Sequence, residues 1–211
     1  MSLETIVLAS PAPRPSPLYL VEEISHRVVN EYSVAIGDLS LAAKRAPDAQ
    51  ARSALVRAAE RLRAHAAAHR ALLAPLDGTQ IDLADYLGRI CASISTSLLA
   101  DRDIHLLLEM DEVWLDAGRC WRIGLIIAEL VRNAARHGLA GRAGCIRVAV
   151  TRTATGIRCL VIDNGAGSKL EHRRGRGSRL IETLADDLSG TATWRFTTAG
   201  CRVEIEAPIV G

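Results

Sequence analysis

From Leu18 to about Arg45 the chain has no proline and a single glycine. Its apolar residues fall at helical spacing: Val21, Ile24, Val28, Tyr32, Ala35, Leu39 and Ala42. That pattern predicts one long amphipathic helix. Ala46, Pro47 and Asp48 interrupt it. From Ala49 to about Leu73 the residues Leu55, Ala58, Leu62, His65 and His69 recur among alanines and arginines, which predicts a second helix of high propensity. A break this short between two long helices predicts an antiparallel hairpin. Each helix carries an apolar stripe wider than one partner covers. Two hairpins are therefore expected to join as a four-helix bundle in a homodimer, with docking on the rest of the same chain as the other way to cover the stripe.

Beyond the turn cluster Pro75 to Thr79 the period alternates between helical and extended. Helices are predicted over 82–99, 120–137 and 178–188, and strands over 104–110, 146–152, 157–163, 192–197 and 202–207. Helices on one face of a mixed sheet make an α+β sandwich. Pro11, Pro13, Pro15 and Pro17 precede the first helix and favour an extended arm. The predicted organisation is a proline-rich arm (1–17), a helical hairpin (18–75) and an α/β sandwich (76–211).

Composition narrows the partners. Hydrophobic residues make up 49% of the 211, so the chain can bury a real core. At 3% aromatics, that core must be built from Leu, Ile, Val and Ala. Lys and Arg total 26 against 24 Asp and Glu, a net charge of +2 that gives no reason to expect a nucleic-acid partner. No apolar run is long enough to cross a bilayer, and the first residues lack the basic start of a signal peptide, so no membrane insertion is expected. The five cysteines are odd in number and scattered, with no CxxC pair. That argues against a disulfide framework and a zinc site and fits a reducing cytoplasm.

Four short constellations could carry chemistry. In the first helix Glu23, His26 and Asn30 lie within about 60° of one another around the axis. A histidine that is largely neutral near pH 7 can offer one ring nitrogen as nucleophile while a carboxylate orients it or takes its proton. A solvated polar stripe is the competing reading of that segment. Glu129, Asn133 and His137 recur at four-residue spacing on an otherwise apolar helix, where Glu129 and Asn133 offer hard oxygen donors suited to Mg2+, or form a polar seam against the sheet. Asp163 ends the apolar strand CysLeuValIle and leads into AsnGlyAlaGly. It could accept a hydrogen bond from an exocyclic amine such as adenine N6 while Gly165 and Gly167 let a ligand approach, or the segment could be a plain turn. Gly175 and Gly177 open the next helix, whose N-terminal amides could cradle phosphate beside Lys169, Arg173, Arg174, Arg176 and Arg179.

The order of these elements resembles the sensor histidine kinase family. HisArgValValAsn at 26–30 resembles the H box of the HisKA_2 type, with Val29 where that pattern usually has Lys. The segments at 129–138, 163–167 and 175–181 are similar to the N, G1 and G2 boxes. The resemblance implies a dimeric hairpin domain joined to an ATP-binding domain of the Bergerat (GHKL) type. It implies that His26 is the phosphoacceptor, assisted by Glu23 or a neighbour, and passes its phosphoryl group to an Asp of a response regulator receiver domain. It further implies that Asn133 and Glu129 hold Mg2+, that Asp163 reads the adenine amine, and that Gly165, Gly167, Gly175 and Gly177 shape the pocket and its lid. A histidine phosphotransferase with a degenerate second domain that binds no ATP is the rival expectation. A GHKL switch kinase acting on serine would leave the His26 hairpin without a purpose.

Overall fold

In the computed structural model, residues 17–73, 80–165 and 175–209 are described. The proline-rich arm before Pro17, the expected boundary at 75–76 and the segment 166–174, with Gly167, Lys169, Arg173 and Arg174, lie outside the described residues. Helices α1 (Pro17–Arg45) and α2 (Ala49–Ala71) form the expected antiparallel hairpin. Asp48 caps α2, its carboxylate accepting the Ala51 N–H at 2.7 Å. The stripe that packs inside the hairpin is rotated from the expected one. Val29 and Ala43 on α1, and Ala59 and Ala66 on α2, are buried, whereas Ile24 is 60% exposed and His65 is exposed. Helix α1 has two apolar faces, and the hairpin covers only one. The other keeps Val34 (64% exposed) and Leu41 (47%) at the surface, with Val56 (42%) on α2.

The second half is a five-stranded sheet in the order β2-β4-β5-β7-β6, built from Ile104–Met110, Gly144–Arg152, Gly156–Asp163, Gly200–Pro208 and Thr191–Thr197. The β2–β4 pair is parallel and the others antiparallel, as the intervening helix requires. Helices α3 (Leu83–Ile94), α4 (Ala117–Asn133) and α5 (Arg176–Asp187) bury their apolar faces with the inner face of the sheet in one cluster that includes Leu87, Ile90, Ile127, Ile146, Ile181 and Ile205. The mixed sheet with helices to one side is the α+β sandwich read from the periodicity. Two short strands escaped that reading, β1 (Gln80–Asp82) and β3 (Trp114–Asp116), which pair antiparallel with each other. At three residues each they are too short to show a period.

Aspartates fix where the domain's helices start. Asp82 accepts the Ala84 N–H at 2.9 Å, and Asp116 accepts the Arg119 N–H at 2.9 Å. Both long helices end in wide turns that helical periodicity alone does not reveal. The expected helix over 82–99 becomes a π turn at Ser95–Leu99, and that over 120–137 becomes a π turn at Ala134–Gly138. The hairpin is tied to the sandwich by Trp121, buried on α4, whose indole N–H donates to the Leu72 carbonyl at 2.8 Å.

Ile127 is fully buried between α4 and the sheet, so Ile127→Ala should cost about 2–5 kcal/mol by leaving a cavity. Asp116→Ala, which only removes the α4 cap, should cost about 1 kcal/mol. Urea unfolding of the two variants checks the order, and equal effects would mean that α4 is held by its end rather than by its buried face.

Candidate functional site

Strand β5 ends at Asp163, a charged residue only 4% exposed. Its Oδ1 accepts the N–H of Gly165 at 2.9 Å and that of Cys201 at 3.4 Å, so the turn after β5 and the start of β7 converge on one oxygen. Among the described residues, no hydrogen bond to Oδ2 is seen. Burial pushes the Asp163 carboxyl above its usual range, and the two backbone hydrogen bonds pull it part of the way back. The Cys201 thiol is pushed up to about 11 by burial and then by the Asp163 charge, which keeps it protonated and unreactive at neutral pH.

Backbone approaches Asp163 closely at three glycines. A Cβ on Gly138 would lie 2.5 Å from the Asp163 carboxyl carbon, and one on Gly165 would overlap the Gly138 carbonyl. Gly200 has φ +129°, a conformation that L side chains rarely adopt, and a Cβ there would overlap the Asp163 carbonyl oxygen. The π turn makes the first of these contacts possible. It closes through the Leu139 N–H on the Ala134 carbonyl at 2.8 Å and brings Gly138 to β5.

Glu129 and Asn133 are half-buried on α4. The first turn of α5 faces them: a Cβ on Gly177 would collide with Glu129 Oε1 and lie 3.4 Å from Asn133 Nδ2. Gly175 occupies the N-cap position of α5 with no side-chain cap, so amides of the first turn are open to a ligand. A carboxylate and an amide beside a glycine cradle at a helix N-terminus suit hard Mg2+ and the phosphates it bridges. His137, expected on the same stripe, sits inside the π turn and is exposed. Helical register is lost there, so four-residue spacing no longer places it above Asn133.

In the hairpin His26 is exposed, and so is Asn30. Glu23, expected to orient the imidazole, pairs instead with Arg27 at 2.8 Å, one helical turn further on. Val29 lies inside the hairpin at 8% exposure, which accounts for an apolar residue at that position.

Sequence reasoning missed Gly138, Cys201 and Arg132. Cys201 takes part through its backbone, which no residue type announces. Arg132 takes part through an ion pair with Glu129 at 3.1 Å. Its charge also reaches His69 of α2, whose imidazole is held below its usual value first by burial, then by Arg132 and His65. Among the described residues no cluster of three His, Cys, Asp or Glu could hold a metal ion by itself, and no helix is long and apolar enough to cross a membrane.

Comparison with known proteins agrees along most of the chain. Residues 23–98 match a family model described as histidine kinase, and residues 103–203 one described as histidine kinase-like ATPase domain. The sensor histidine kinase PdtaS of Mycobacterium tuberculosis is 30% identical over 197 residues, and that of Mycolicibacterium smegmatis is 28% identical. The match covers 90% of this chain, which spans 39% of the length of those relatives. Among solved structures, the histidine kinase domain of the Erythrobacter litoralis EL346 blue-light activated histidine kinase superposes with a TM-score of 0.59 at 21% identity, covering 84% of this chain and 96% of that one. A bacterial phosphotransferase superposes with a TM-score of 0.64 at 12% identity, covering 93% and 99%. At these identities the two structures speak for the fold alone.

The raised Asp163 pKa means that the folded state holds this proton more tightly than the unfolded chain does. Its contribution favours folding below the ordinary carboxylate range and is lost as pH rises through the folded-state value. At neutral pH the buried charge is therefore a cost. Asp163→Asn keeps an oxygen for the Gly165 N–H and should leave the Tm of the nucleotide-free protein equal to or above that of the wild type at about pH 7. It should also weaken the dependence of Tm on pH across the acid range. Thermal unfolding from about pH 4 to pH 8 checks this, and a clear drop at neutral pH would show that the carboxylate is needed for folding itself.

Proposed function

The chain belongs to the histidine kinase family, and from that premise we propose that it autophosphorylates His26 from Mg-ATP and passes the phosphoryl group to an Asp of a response regulator. The observation that carries this reading is the buried Asp163 carboxylate at the end of β5, one oxygen of which is held by backbone amides. A carboxylate kept in so dry a place is matched to a ligand that brings a donor, as the amine of adenine does.

In this reading Asp163 Oδ2 accepts the adenine amine, and Gly138 and Gly165 leave the base room against the backbone. Glu129 and Asn133 hold Mg2+ against the phosphates, and the first amides of α5, from Gly175 and Gly177, face the phosphoryl oxygens. Bound Mg2+ neutralises charge on the phosphates during transfer. A nitrogen of the His26 imidazole attacks the γ-phosphorus while the bond to the bridging β-phosphate oxygen breaks and ADP leaves. The proton displaced from the ring goes to a nearby base. Glu23, one turn before His26 on α1, can serve, and Asn30 lies on the same stripe. A receiver aspartate then takes the phosphoryl group from the exposed imidazole.

The uncovered face of α1, with Val34 and Leu41, supports a homodimer through the hairpins, since isolated long helices do not leave such residues in water when a second copy can cover them. Sedimentation checks this: Leu41→Glu should shift the protein toward monomer at micromolar concentration, and an unchanged sedimentation coefficient would exclude that face. A second reading, a phosphotransferase relay that binds no ATP, gains from one feature. Glu129 is already paired with Arg132, and the first turn of α5 lies against it.

Incubation with ATP carrying a labelled γ-phosphate separates the two. Kinase activity predicts acid-labile, base-stable label on the wild type, loss of label in His26→Ala, and loss of both label and nucleotide binding in Asp163→Asn. Calorimetry that detects no heat with Mg-ATP on the wild type would favour the relay. Label that survives in His26→Ala would move the acceptor elsewhere.

A further inference from the structure

The antiparallel pairing of β4 with β5 runs to Ile146 opposite Asp163, so Cys145 and Asn164 are the next pair along. In a regular ladder these two residues would exchange main-chain hydrogen bonds. One half of the exchange is made, the Asn164 N–H donating to the Cys145 carbonyl at 3.2 Å. In the other half the Cys145 N–H donates to the Asn164 side chain instead, at 2.8 Å to Oδ1. The amide stands in for the residue's own carbonyl, and the main chain is released from the sheet at that residue. Glycines on both neighbouring strands make the room. A Cβ on Gly144 of β4 would lie 2.6 Å from Asn164 Oδ1, and one on Gly200 of β7 would lie 3.2 Å from Asn164 Cα. The chain turns at once, and the next N–H, that of Gly165, reaches back to Asp163 Oδ1 at 2.9 Å.

We propose that Asn164 is a positioning residue for nucleotide recognition: its amide, seated on the Cys145 N–H, sets where the chain leaves the sheet and so aims the Asp163 carboxylate at the base. The proposal rests on the reading of Asp163 as the group that binds the adenine amine. A carboxylate at a strand end is free to turn about its side-chain torsions, and the Gly165 N–H selects among the orientations by holding one oxygen. That N–H has a fixed place only where residue 164 gives the chain a fixed exit. With alanine at 164, the Cys145 N–H is left to the main-chain carbonyl of residue 164 or to water. The first extends the ladder by one residue and the second frays it, and either moves Gly165 with respect to Oδ1. Few residue types can replace the amide here, because the acceptor must stand on a short arm that bends back to nearby main chain, as Asn and Asp side chains do. The bond to Cys145 lies at the surface, so losing it leaves the buried cluster between sheet and helices in place.

The test compares, on the full chain, calorimetric binding of ATP and of purine riboside triphosphate, which lacks the exocyclic amine. Amide hydrogen exchange at Cys145 and Gly165 is followed alongside it in the nucleotide-free protein. Asn164→Ala should weaken ATP binding about tenfold, the size expected for loss of one charge-assisted hydrogen bond, and weaken the analogue by less than about twofold. Both amides should exchange faster. Asn164→Asp, which keeps an acceptor oxygen on the same arm, should return the ATP affinity and both amides toward wild type, and far-UV circular dichroism should be unchanged in both variants. Unchanged ATP affinity in Asn164→Ala overturns the proposal. So does an equal loss for the two nucleotides, which would mark a loosened pocket rather than a misdirected carboxylate, and so does unchanged exchange at Gly165. If the wild type holds both nucleotides equally well, the reading of Asp163 as the amine-binding group is what fails and takes the recognition half of the proposal with it. Exchange at Gly165 in Asn164→Ala then decides separately whether Asn164 sets the turn.

Discussion

A single ionised group, taken nearly out of water at the end of β5, constrains the architecture around it. Burying a carboxylate without partners costs several kcal/mol, on the order of what a whole domain has to spare. Asp163 is held by two backbone amides instead, from Gly165 and Cys201, which fixes the turn after β5 and the start of β7 at once. The close approach of Gly138, Gly165 and Gly200 follows from the same demand, since backbone can surround the group only where no Cβ intervenes. The π turn ending α4 belongs to this arrangement as well, because it delivers Gly138 to the carboxylate. Binding chemistry and local fold are thus one set of contacts. In the proposed function, an outside donor would meet an oxygen that the fold has already oriented.

The hairpin obeys a different constraint. Helix α2 is rich in alanine, and the two long helices pack closely through Val29, Ala43, Ala59 and Ala66. What remains is a second apolar face on α1, an exposed His26, and a C-terminal end anchored by Trp121 on α4. Those three features suit an element that associates with a copy of itself, exposes a nucleophile and stays attached to a nucleotide domain. The attachment includes that indole hydrogen bond and the apolar contacts of Ala71 and Leu72, and α2 packs against α3 as well.

Charge on the solvent face of the sheet is arranged locally. Arg158 pairs with Glu204 at 3.1 Å and with Glu206 at 2.7 Å, and Arg202 pairs with Glu204 at 2.8 Å, all between strands or along one strand at the surface. Such pairs add little stability and serve mainly to keep that face soluble. The Arg132–Glu129 pair differs by its place, because Glu129 is mostly buried. An ion pair matters here for what it occupies rather than for what it stabilises.

The amino-acid sequence by itself determined the two-helix hairpin, the order of helices and strands in the sandwich, the place of Asp163 at a strand end, and the places of Glu129 and Asn133 on one helix and of Gly175 and Gly177 at the start of another. Each of these rests on periodicity over many residues or on residue types that backbone geometry demands, and both are local properties. Tertiary structure alone decided which of the two faces of α1 is covered, because an apolar stripe does not say what it will meet. It decided that α4 ends in a π turn that takes His137 off the stripe of Glu129 and Asn133, since a change of helical pitch leaves no mark in the pattern of residue types. It decided that Glu23 turns to Arg27, that Cys201 contributes a backbone amide, and that Arg132 pairs with Glu129. All of these are meetings between side chains or strands remote in sequence, or choices among neighbours equally spaced along a helix, and only packing selects among them.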